Sequence, residues 1–98
     1  RTGLSKIWAR SKPIAANRAR LIADAIQRIS SGERGESVVE EHAHKLAGSL
    51  GTFGLSEASG AARAIELELQ KSEPSIEQLR ALSAKLTQAI DGHDGAEA

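Results

Sequence analysis

Between Glu36 and Gly54 the apolar residues Val39, Ala43, Leu46, Leu50 and Phe53 stand four, three, four and three positions apart. That alternation follows the turn of an α-helix and puts all five on one side of it, whereas a strand would scatter them over two faces. The same track returns as Ala58, Ala62, Ile65 and Leu69, and again as Ile76, Leu79, Leu82, Leu86 and Ile90. Helices that each carry one apolar stripe gain stability by burying those stripes against one another. No segment shows period-two alternation or an internal repeat. The apolar residues are mostly Ala, Leu and Ile, with one Trp, one Phe and no Tyr, a palette that suits packed helices better than sheets.

Turn and cap signals divide the chain. Leu4, Ile7 and Trp8 are spaced as one face of a short helix within residues 1–12, and Pro13 interrupts it. Ser11 can cap a second helix with Pro13 in its first turn, where a missing N–H costs nothing. That helix runs to about Ser30, with Ile14, Leu21, Ile22, Ala25, Ile26 and Ile29 facing inward. "SSGERGES" is a loop, and the third helix begins near Glu36. Gly54 can take the left-handed conformation that ends this helix, with Leu55 placed for the accompanying apolar contact. Ser56 then caps a fourth helix. "KSEPS" breaks that one, and Ser75, in a capping box with Gln78, opens a fifth that Gly92 ends. The expectation is an all-α, antiparallel up-down four-helix bundle with a short extra N-terminal helix. It forms one domain over 1–98, with the bundle in 13–91 and a frayed tail at 92–98.

With 98 residues there is room for one modest core. Thirteen basic and thirteen acidic residues cancel, so no overall field points to nucleic acid or an anionic membrane. The basic start, from Arg1 to Arg20 ahead of the first acid at Asp24, reads as a solvated helix face. With no cysteine, disulfides, thiolate metal sites and thiol nucleophiles are excluded, and nothing requires an oxidising compartment. No apolar run approaches a membrane span, and no signal-peptide pattern is present. The expected location is cytoplasmic. A start on Arg rather than Met fits a segment of a longer protein.

The helical track isolates one residue. With the seam of the third helix set at zero, His44 lies about 140° away, toward solvent, with Gly48 at about 180° and Gly51 at about 120°. The residues three, four and seven positions after the histidine are the ones best placed to crowd it, and here they are Ala47, Gly48 and Gly51. Two glycines within a helix cost about 1 kcal/mol each relative to Ala, so something is expected to come close to His44. His42 lies on the flank of the seam as a packing or hydrogen-bonding residue. The two histidines diverge by about 200°, which argues against a shared metal ion. His93 adds nothing specific, and the glycines do not spell a phosphate loop, since there is no G-x-G and no Gly-Lys-Ser/Thr.

"AHKLAGSLGTFGL", with "AARAIE" downstream, resembles the histidine-containing phosphotransfer (HPt) family, whose pattern is His, any residue, Leu, Lys, Gly, Ser or Ala, and a later Gly. The resemblance implies that His44 accepts a phosphoryl group from an aspartyl phosphate on a receiver domain and passes it to another. The receivers belong to response regulators or hybrid histidine kinases, and they supply Mg²⁺. This chain is then expected to carry no cofactor and no kinase activity of its own. A neutral imidazole, with an unperturbed pKa of about 6.5, suits the task as a nucleophile. Glu66 stands where the family often has a Glu or Gln that bonds the imidazole. An ion pair with Arg63, three residues earlier, is the alternative for Glu66. Lys45 is a candidate for neutralising phosphoryl charge, although a neighbouring helical residue points about 100° away and a solvated lysine is the default. Ala47, Gly48, Gly51, Glu41 and Arg63 make up the expected docking surface.

The chain departs from the family pattern at Ala47, where a Lys normally stands, which removes a cation from the helix. Lys45 and Arg63 are the residues that could compensate. Other readings are a helical module that docks signalling partners without transfer, and a nucleic-acid module built on the basic start. A histidine kinase dimerisation domain is disfavoured, because no ATP-binding region is present and no acid follows His44 directly.

Overall fold

The computed structural model describes residues 2–92, with side chains from Lys6 onward. Among these residues there are four helices: α1 (Thr2–Ser30), α2 (Glu36–Thr52), α3 (Ser56–Leu69) and α4 (Ile76–Asp91). α1 packs on α2 and α4, α2 on α3, and α3 on α4, so the helices close into a ring around one core. That is the expected four-helix bundle. Val39, Leu46, Leu50, Ile65, Leu79, Leu86 and Ile90 are fully buried, so the apolar tracks of α2, α3 and α4 face inward as their spacing requires. No described helix is long and apolar enough to cross a membrane.

α1 corrects the reading of the N-terminal part. There is no separate short helix before Pro13 and no new start at Ser11: one 29-residue helix runs straight through the proline. A proline inside a helix costs about 3 kcal/mol, through a lost bond to the carbonyl four residues back and a ring clash. Here Pro13 and Ala9 are both exposed, so water can satisfy the freed carbonyl. The turns before Pro13 also bury Trp8, which meets Phe53 edge-on with ring centroids 5.0 Å apart. Burying a large side chain contributes about 1.5–3 kcal/mol, enough to offset most of the proline cost.

The face of α1 agrees with expectation at Ile22, Ala25 and Ile26, with Ile29 packed against the core, and differs at Ile7, Ile14 and Leu21. Ile7, Ile14 and Leu21 are exposed at 53%, 59% and 37%, while Trp8, Ala15, Ala19, Ile22, Ala25 and Ile26 are buried. Both sets have helical spacing. The buried set contains the alanines, whose single methyls let α1 lie close to its neighbours. Leu4, His93 and, apart from Gly92, the tail expected to fray at 92–98 lie outside the described side chains or residues.

The connections follow local chemistry, with one further correction. α2 ends in a Schellman motif: Leu55 N–H bonds the Leu50 carbonyl at 3.0 Å, Gly54 N–H bonds that of Gly51 at 3.0 Å, and Gly54 has φ +78°. Buried Leu55 is itself the N-cap of α3, so Ser56 is the first helical residue and makes no side-chain cap. At α4, Ser75 Oγ accepts from Gln78 N–H at 3.1 Å as expected. The Ser75 N–H goes to Glu68 Oε2 at 2.8 Å, so a buried α3 carboxylate closes the cap across the loop. Lys71 holds the other Glu68 oxygen at 3.0 Å. The Ser75 N–H bond, and then Lys71, hold the Glu68 carboxyl below the usual carboxylate range.

Candidate functional site

α3 buries small residues, Ala58, Ala61 and Ala62, which let it lie close to its neighbours. Ser59 Oγ donates to the Ala47 carbonyl at 2.7 Å and ties the helices at that level. Nothing in the local sequence marks Ser59 for this role. Ala47 itself is half-buried against the core.

His44 projects from the α2 side of this junction with its side chain 75% exposed, and its Nδ1 lies 2.9 Å from Glu66 Oε2. The Glu66 side chain is only 11% exposed. An ionised carboxylate has lone pairs and no proton, so Nδ1 is the donor, and a neutral ring then presents its Nε2 lone pair to solvent. Glu66 Oε1 is buried without a hydrogen-bond partner among the described residues. Leaving such a group unsatisfied costs about 1–3 kcal/mol. Stability alone does not account for a half-satisfied carboxylate at this position.

The ground beside the ring is bare. A Cβ at Gly48 would meet nothing within 4 Å, and one at Gly51 would meet only Ser59 Oγ at 3.5 Å. The fold therefore gives no internal reason for glycine at 48, and the free space faces outward. A shallow groove of about 400 Å³ continues from there, lined in part by Gly51, Ser59, Gly60, Arg63 and Leu67.

The remaining candidates separate by partner. Lys45 pairs with Glu41 at 3.2 Å, an exposed i,i+4 contact beside the ring. Arg63 is exposed and makes no ion pair with Glu66, whose available oxygen is taken by His44. His42 is half-buried, and its Nδ1 lies 3.1 Å from Arg18 Nη1. A guanidinium can only donate, so that Nδ1 accepts. His42 is thus the hydrogen-bonding residue expected from its place on the seam's flank. No group of three or more potential metal ligands occurs among the described residues.

Compared with known proteins, residues 16–92 match the family model described as the Hpt domain. No curated protein and no solved structure matches the chain.

Proposed function

The chain belongs to the Hpt domain family, the phosphorelay histidine phosphotransfer domains of two-component signalling, and on that premise we propose that His44 is its phosphoryl acceptor. The observation that carries the reading is the exposed ring held through Nδ1 by a nearly buried glutamate. Nε2 attacks the phosphorus of an aspartyl phosphate on a receiver domain. The Nε2–P bond forms as the P–O bond to the aspartate breaks, and the electron pair leaves with the receiver carboxylate. No proton has to depart. The ring becomes cationic with Nδ1–H in place, and the Glu66 carboxylate balances it. Transfer to a second receiver runs the same step in reverse.

In-line approach needs open space on the Nε2 side, and Ala47, Gly48 and Gly51 leave it. Glu41, Lys45 and Arg63 border the surface that a receiver would cover. The divalent cation and most of the transition-state stabilisation come from the receiver. The chain is a carrier without kinase activity, and its exchange with receivers takes place in the cytoplasm.

The test is incubation with a receiver domain charged by acetyl phosphate. The expected product is an acid-labile, alkali-stable label on the chain that is absent from His44→Gln. Stable binding of the charged receiver without any label would instead support a docking module that transfers nothing.

A further inference from the structure

A phosphoryl group on His44 adds up to about two negative charges at a solvent-facing ring. Three cationic side chains border the region. Lys45 leaves α2 about 100° round from His44, and its ammonium is engaged by Glu41 at 3.2 Å. Arg18 is committed to His42 between α1 and α2. Arg63 makes neither kind of contact among the described residues. It stands exposed on α3, one turn before the glutamate that holds the ring.

Residues three apart on a helix are neighbours, and an arginine there would ordinarily pair with the glutamate. Here Glu66 is turned to α2 instead: Oε2 is bonded to His44 and Oε1 is buried. Arg63 lines the shallow groove together with Gly51, Gly54 and Gly60. Little side chain stands nearby: position 47 ends in a methyl group, and a Cβ at Gly48 or Gly60 would meet nothing within 4 Å.

From this geometry we infer that Arg63 is the phosphoryl-binding cation of the site, its planar fork closing on the phosphoryl oxygens once they sit on Nε2 of His44. The inference rests on His44 being the acceptor. Arg63 makes and breaks no covalent bond, and it leaves the Nδ1–Glu66 contact in place. It supplies from α3 the charge that α2 lacks at Ala47.

Potassium phosphoramidate, a small donor of phosphoryl groups to histidine, tests both layers on the full chain without any receiver. The wild type should take a label that His44→Gln does not. A wild type that takes no label overturns the acceptor reading itself. With the label in place, Arg63→Gln should slow charging about three- to tenfold and raise the midpoint of the phosphorus-31 shift titration by about half a unit or more, since a nearby cation favours the dianion. Arg63→Lys should recover part of both effects. Lys85→Gln, the same charge loss on α4, should alter neither. An Arg63→Gln protein that is folded by circular dichroism, labelled on His44, and unchanged in charging rate and midpoint overturns the assignment of Arg63 while His44 stands.

Discussion

α2 and α3 each hold two like residues two positions apart: His42 and His44 on one, Glu66 and Glu68 on the other. The members that hold the fold together are tied to other parts of the chain. His42 takes a bond from Arg18, and Glu68 takes one from the Ser75 backbone and another from Lys71. The other two face each other, with one glutamate oxygen unpartnered and one imidazole nitrogen open to water. What sets His44 apart from His42 is exposure, and what sets Glu66 apart from Glu68 is an oxygen without a partner among the described residues. On the proposed function, the exposed ring beside a half-satisfied carboxylate is where a partner meets the chain.

Exchanging the members of each pair gives the largest expected contrast. His44→Gln should abolish phosphoryl labelling by a charged receiver. His42→Gln should leave labelling in place and lower stability by about 1 kcal/mol in urea unfolding, the usual worth of one hydrogen bond. Equal loss of label in both variants would erase the distinction drawn between them.

The two glutamates come next. Glu66→Ala should slow charging about 10–100-fold, as loss of a group that orients a reactive imidazole does. Its melting temperature should change little, because the substitution also removes an unsatisfied buried oxygen. Glu68→Ala should do the opposite, charging normally and melting earlier. A pH series sharpens this pair. The Glu68 carboxyl sits below the usual carboxylate range in the folded chain, so the unfolded chain binds its proton first as pH falls. The stability it contributes is fully present above the unfolded value of about 4.3 and is lost as pH drops through the lower folded value. Melting temperature measured from pH 6 down to pH 2.5 should fall less steeply in Glu68→Gln than in the wild type. Parallel curves for the two proteins would remove Glu68 from the acid response.

The smallest effect is expected at the bare ground itself. Gly48→Ala should raise stability by about 1 kcal/mol, because the added methyl meets nothing in the chain and alanine is the better helix former. Gly48→Leu should slow transfer from a receiver more than charging by phosphoramidate, since only the larger donor needs the open surface. Equal slowing with both donors would mean that the glycine does not serve access.

Much of the bundle could be read from spacing, because α2, α3 and α4 each present one continuous apolar track and no competing one. α1 presents two. Ile7, Ile14 and Leu21 form one line, and Trp8, Ala15, Ala19, Ile22 and Ile26 form another. A hydrophobicity pattern favours the larger side chains, while the assembled bundle buries the face that brings helix axes close. Pro13 misled for a related reason: its local cost is plain in the sequence, but the Trp8–Phe53 contact that offsets it joins residues far apart in the chain. At the site, the exposure of His44 and the bareness of Gly48 are properties of one helix and were legible from its wheel. The choice of Glu66 between Arg63 and His44 joins residues 22 positions apart. The bonds of Ser59 to Ala47 and of Glu68 to Ser75 had no signal at all.

Sequence alone determined what a single helix can determine: which side of α2 is apolar, which residue stands opposite, and how little surrounds it. Those properties follow from a fixed turn angle and from side-chain size. The tertiary structure decided which nitrogen of His44 is held and which is free, which glutamate holds it, and that Arg63 makes no ion pair with that glutamate. Each of these is a competition among groups on different helices, and proximity in the folded bundle settles it.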